Sequence, residues 1–179
     1  MKACEQAPGY STYQHGLDVA NRYRDLYEHL HGKPACYQWS FKDGMLQRLK
    51  EIAPLAKLPL EARLYHIFHD CGKPDTLTID EQGRRHFPGH AEASVSAFKA
   101  ALGEDAENHA DTLELISLDM GFHTFRGEQL QELCRHRLAP TLLLTAWAEL
   151  HANAEILFGG FESDSFKIKR KALAKAQLK

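Results

Sequence analysis

Apolar residues recur at helical spacing along most of the chain. Leu17, Ala20, Tyr23, Leu26, Tyr27 and Leu30 form a 3.6-residue stripe, which predicts a helix from Ser11 or Thr12 to about Leu30. Either hydroxyl can cap its start, and Gly32 followed by Pro34 stops it. Residues 33–43 carry no period and read as irregular. A second helix is expected over 44–52, with Met45, Leu46, Leu49 and Ile52 facing inward and Pro54 beyond it. Pro59 suits a first helical turn, with Glu61 well placed near the positive end of the helix dipole. The helix that follows, about 60–71, is apolar on most sides, as expected of a central helix.

The period then changes. Thr76 to Ile79 alternates, Asp80 to Gly83 is turn-like, and Arg84 to Phe87 returns, which predicts a small β-hairpin. Gly89-His90 opens another helix, whose inward stripe is Ala91, Ser94, Val95, Phe98, Ala101 and Leu102. Helices are expected over 105–120 and 127–137, and Pro140 begins the longest apolar stretch, 141–158. The sum is an all-α bundle of about six to seven helices with one hairpin. Gly159-Gly160 reads as the end of a single domain, 1–160, with a basic tail over 161–179. The last 13 residues hold six Lys or Arg and no acid. Such an end can touch nucleic acid, and a solvated helix or frayed terminus is the plainer reading.

Composition narrows the class. A hydrophobic share of 44% in 179 residues supports a real core, and a net charge of -2 argues against a polyanion binder as a whole. Cys4, Cys36, Cys71 and Cys134 are scattered, with no Cys-x-x-Cys pair and no disulfide framework. Residues 1–10 lack the apolar run of a leader, and no stretch approaches the roughly 20 apolar residues of a membrane span. The expectation is a soluble, cytoplasmic protein without a membrane partner.

Chemistry concentrates at His69-Asp70-Cys71-Gly72-Lys73-Pro74. Adjacent imidazole and carboxylate groups can serve one divalent transition metal. Lys73 sets a cation beside them that could hold a phosphate. A surface His-Asp pair at a helix end would look the same, so the rest of the chain has to decide. His15 lies near the buried side of the first helix, and His90 opens its own helix. Asp119 and His123 are four apart, sharing a face only if the helix runs through Gly121. Glu149 is a carboxylate inside an apolar helix, costly there unless paired or bound. His66, one turn before His69, reads as a packing or supporting residue rather than a ligand.

A histidine, a His-Asp doublet and a late carboxylate on separate helices resemble the HD-domain metallohydrolases from about residue 11 to 153. The run from His69 to Pro74, the hairpin ending Arg85-His86-Phe87, and Pro88-Gly89-His90-Ala91-Glu92 is similar to the HD domain of bacterial tRNA nucleotidyltransferases (CCA-adding enzymes). The polymerase domain and strand-borne carboxylates of those enzymes are absent, so the resemblance implies a stand-alone HD domain. It implies metal ligation by His15, His69, Asp70 and Glu149, the last a departure because the family has aspartate there. A second metal would draw on His90 with Asp119 or His123. One or two ions of Mn, Ni, Co, Fe or Zn are implied, with Asp70 and Lys73 catalytic and Lys73, Arg84 and Arg85 meeting the substrate. The implied reaction is hydrolysis of a phosphomonoester or cyclic phosphodiester of a nucleotide. Two alternatives stand beside it. One is a non-catalytic metal- or nucleotide-binding regulatory module, favoured by Glu149 in place of aspartate; the other is a di-iron oxygenase.

Overall fold

The computed structural model describes residues 1–42 and 44–178. Asp43, the end of the expected irregular segment, and Lys179, the end of the expected tail, lie outside the described residues. The first helix forms as its stripe predicts: α1 spans Thr12–Leu30, and the Ser11 hydroxyl accepts the Gln14 N–H at 3.2 Å. It is followed by α2 (Met45–Ile52), a 3-10 turn (Ala53–Leu55), α3 (Pro59–Phe68) and the single turn α4 (Lys73–Thr76). Then come α5 (His90–Leu102), a 3-10 segment (Gly103–His109), α6 (Ala110–Leu118), the single turn α7 (Gly121–Thr124) and α8 (Gly127–Leu133). The last two helices are α9 (Ala139–Ile156) and α10 (Asp164–Leu173). Among the described residues seven helices reach eight residues or more, α1, α2, α3, α5, α6, α9 and α10.

Two antiparallel hairpins flank the bundle. In order along the chain, β1 (Glu5–Ala7) pairs with β2 (Tyr10–Ser11), and β3 (Thr78–Ile79) pairs with β4 (Arg85–His86). The second is the expected one, with Thr78 opposite His86 and Ile79 opposite Arg85. The first falls before Thr12, where the sequence pattern predicts no element. Its first strand, Glu5-Gln6-Ala7, does not alternate, and the turn rests on Gly9 at φ 72°.

Helix α9 is the axis. Leu142, Leu143, Leu144, Trp147, Ala148 and Leu150 are all within 2% of full burial, and α1 and α10 pack against it. The central position expected of residues 60–71 therefore belongs to α9. Helix α3 packs on α1 and α6 but leaves Leu60 81% exposed at its start. The helix expected over 105–120 is split. Residues 103–109 carry only one buried side chain, Ala106, and so have no apolar face to hold a regular helix, and they tighten into 3-10 turns.

The segment read as a tail belongs to the core. Ser163 caps α10 by accepting the Phe166 N–H, and Phe166 and Leu173, two turns apart on one face, are buried. Arg48 of α2 donates to the Ala174 carbonyl at 3.1 Å and to that of Ala176. Gly159-Gly160 is thus a corner between α9 and α10, because the apolar residues beyond it still have a face to cover.

Two glycines set the approach of the helices that matter for chemistry. A Cβ on Gly16 would lie 2.6 Å from the Ile67 carbonyl oxygen, so only glycine lets α1 sit this close to α3. A Cβ on Gly72 would lie 2.3 Å from the Ser94 backbone nitrogen, and its absence admits the start of α5. The first contact brings His15 to His69; the second brings His90 to Asp70.

Candidate metal centre

The end of α3 presents His69 and Asp70 to the middle of the bundle. The His69 backbone N–H still bonds the Tyr65 carbonyl at 2.8 Å, so the helical path holds through that residue. Its ring Nδ1 donates to the His66 carbonyl at 2.8 Å, which fixes the tautomer with Nε2 facing the centre. His15 arrives from α1, its ring centroid 5.3 Å from that of His69. Asp70 Oδ2 lies 3.2 Å from His69 Nε2 and 3.8 Å from His15 Nε2. Each of these three buried residues offers a ligand atom within 4.8 Å of the other two.

Both ring nitrogens of His15 and Nε2 of His69 are buried without a hydrogen-bond partner. An unsatisfied buried polar atom costs about 1–3 kcal/mol. Two of them, Nε2 of His15 and Nε2 of His69, face the Asp70 carboxylate and make with it a donor set that fits a divalent transition metal: two imidazoles and an oxygen, with Nδ1 of His69 supported from outside.

The remaining predicted residues surround this trio. Lys73 Nζ meets Asp70 Oδ2 at 2.6 Å, and His90 Nε2 lies 3.5 Å from the other oxygen, Oδ1. Glu149 comes within 3.7 Å of His15 Nε2 through Oε1, while its Oε2 is bonded to His123 Nε2 at 3.0 Å. Asp119 accepts the Tyr65 hydroxyl. Arg84 is paired with Asp80 at the hairpin tip at 2.8 Å, and Arg85 is paired with Glu5. The structure thus brings His15, His69, Asp70, Lys73, His90, His123 and Glu149 into one chain of contacts. It sets Arg84 and Arg85 on acids of the two hairpins.

Electrostatics follow from this crowding. Burial would raise the Asp70 carboxyl, but the His69 and Lys73 charges outweigh it and hold the group far below the usual carboxylate range. Burial would lower the His69 imidazole, but Asp70 and Asp119 raise it to about 10. Asp119 itself is pushed up, by burial first and by Glu149. Glu149 is held well below its ordinary value because His123 overrides its burial. Without an ion, then, positive charge is already called into the centre as a proton on His69.

Three contributors escape a reading of the sequence. Gln6 Nε2 donates to Asp70 Oδ2 at 2.8 Å from the β1 strand, with no signal in its surroundings. Asn153 Nδ2 reaches Glu149 Oε1 at 3.4 Å. Tyr65 was legible in principle, being one helical turn before His69, but its apolar neighbours made it look like core. His66 is the supporting residue expected: its Nε2 is 2.9 Å from the Thr145 hydroxyl, and its carbonyl holds His69.

Fold and site define a mostly helical bundle with a buried His-His-Asp cluster fit for a metal. The CC-adding tRNA nucleotidyltransferase of Thermus thermophilus is 53% identical to the chain over 45 residues, 25% of the chain and 10% of that enzyme. The chain thus matches about a tenth of the length of this curated relative, and the likeness is to a part of it. No protein-family profile matches the chain, and no solved structure does. Among the described residues no helix is long and apolar enough to cross a membrane.

Proposed function

We propose that the chain is a metal-dependent phosphohydrolase of the HD type, acting on a phosphomonoester or cyclic phosphodiester of a nucleotide. The observation that carries this reading is the convergence of unpartnered His15 and His69 nitrogens on Asp70 Oδ2. His15, His69 and Asp70 would hold the ion. When bound, a divalent ion supplies Lewis acidity toward a phosphoryl oxygen and lowers the pKa of a water. Asp70 keeps its second oxygen toward His90, so a second ion would draw on His90 and on Asp119 or His123. Lys73 keeps a solvent-facing edge beside the Phe87 ring, 5.3 Å from its centroid, and can turn its ammonium from Asp70 to a substrate phosphate. The partial likeness to a nucleotidyltransferase supports a nucleotide-related substrate.

A non-catalytic binding module is the second reading. Glu149 favours it, because this carboxylate is engaged by His123 and stands outside the His15, His69, Asp70 group. Elemental analysis, then phosphatase and phosphodiesterase assays with Mn²⁺, Ni²⁺ or Co²⁺, separate the two. One or two ions per chain are expected, lost in the His69→Ala, Asp70→Ala variant together with at least roughly a thousandfold of turnover, while helical circular dichroism persists. Bound metal without turnover would favour the binding module. Turnover unchanged in the variant would sink the site assignment.

A further inference from the structure

The Asp70 carboxylate is held by two donors on one oxygen. Lys73 Nζ and Gln6 Nε2 lie 2.6 Å and 2.8 Å from Oδ2, the oxygen that also faces His15 and His69. The donors differ in charge. A cation among His15, His69 and Asp70 would repel the Lys73 ammonium at such short range and leave the neutral Gln6 amide in place. Gln6 is also well anchored. The Thr12 N–H bonds the Cys4 carbonyl at 2.8 Å, and the Thr12 hydroxyl bonds the Met1 carbonyl at 2.8 Å. On the other side the Arg85 guanidinium donates to the Glu5 carbonyl at 2.6 Å. The hairpin reaches the second ligand as well: the Tyr10 ring stands edge-on to His15 with centroids 6.1 Å apart, and its hydroxyl is tied to Asp18 at 2.7 Å.

We propose that the N-terminal hairpin is a wall of the metal centre and that Gln6 is a positioning residue for Asp70. Its amide fixes the carboxylate while Lys73 is released to the substrate. This rests on the metal reading above and extends it to a residue 64 positions away in sequence. It also gives Arg85 a definite task, clamping the hairpin through Glu5.

The test uses the full chain, stripped of metal. Mn²⁺ titration calorimetry is run on the wild type, Gln6→Ala and Gln6→Met, and Co²⁺ absorption is recorded on each. Loss of such an outer hydrogen bond typically weakens metal binding about 10- to 100-fold. That loss is expected in both variants, with displaced Co²⁺ bands, because methionine restores volume but no donor. Wild-type affinity in Gln6→Ala would overturn the proposal, and rescue by Gln6→Met would reduce Gln6 to packing. A separate arm needs no metal: the Gln6 side-chain amide signals in ¹⁵N NMR should shift on Asp70→Ala. Signals that ignore Asp70 overturn the contact. A wild type that binds no ion, with Gln6 signals that do respond, overturns the metal reading and leaves the Gln6–Asp70 contact standing.

Discussion

His69 and His151 are equally buried, 1% and 0% exposed, and the protein drives them in opposite directions. His151 sits among the rings of Trp39, Phe41, Phe161 and Phe166. Its Nδ1 donates to the Trp147 carbonyl at 2.8 Å, and its Nε2 accepts the Ser40 N–H at 3.0 Å. Burial, with Arg22 and Arg170 nearby, lowers it to about 4. His69 has only Nδ1 satisfied and faces Asp70, and its pKa rises to about 10 despite burial. A satisfied, neutral imidazole in an aromatic cage is structure. An imidazole with an orphan nitrogen against a carboxylate asks for a positive charge. Burial by itself separates neither case; the partners do.

The largest blow to that contrast would come from His151→Ala. It removes two hydrogen bonds and a ring from the core, and with them the tie to the loop at Ser40. A loss of about 4 kcal/mol in urea unfolding is expected. Mn²⁺ affinity should stay within threefold. A variant that keeps its stability, or that loses metal instead, would erase the distinction.

The pH dependence of stability sharpens the contrast, because the two signs differ. The folded pKa of His151, about 4, lies below the ordinary 6.5, so the unfolded chain binds more protons between those values. Its contribution is fully present above pH 6.5 and is lost as pH falls through about 4, by at most about 3 kcal/mol. His69, at about 10, lies above 6.5, so in the metal-free chain its contribution is fully present below pH 6.5 and lost as pH rises through about 10. Urea midpoints from pH 5 to 9 check this. His151→Gln should flatten the acid side and His69→Gln the alkaline side; matching profiles in both variants would refute the opposition.

The smallest expected effect concerns Lys73. Lys73→Ala should raise KM for a phosphorylated substrate about tenfold, roughly 1.4 kcal/mol, and leave metal affinity within threefold. Metal loss with KM unchanged would make Lys73 a structural partner of Asp70.

Much of this was legible. The stripe from Leu17 to Leu30 marks α1, expected from Ser11 or Thr12 to about Leu30, and the Thr76–Phe87 alternation marks the second hairpin. His69 and Asp70 were visible because a His-Asp doublet after an apolar helix is a local pattern, whereas His15 was singled out as a ligand only by the resemblance to HD-domain proteins. Other features were not. The Phe166–Leu173 face was hidden among lysines and arginines, and Glu5-Gln6-Ala7 of the first hairpin does not alternate. Gln6 has no local reason to matter, since its partner lies on another element.

By itself the sequence determined where α1, α3, α5 and α9 lie and which side chains carry donor chemistry, because periodicity, capping and propensity act over a few residues. Only the tertiary structure decided which donors meet. Gly16 and Gly72 let backbones close to distances that a Cβ would forbid, and that contact chose His15 and His90 as neighbours of Asp70. Whether a buried imidazole is satisfied or orphaned, and whether Glu149 faces His15 or His123, depends on groups tens of residues away. Hydrogen bonds and Coulomb forces depend on distance in space, and folding sets that distance.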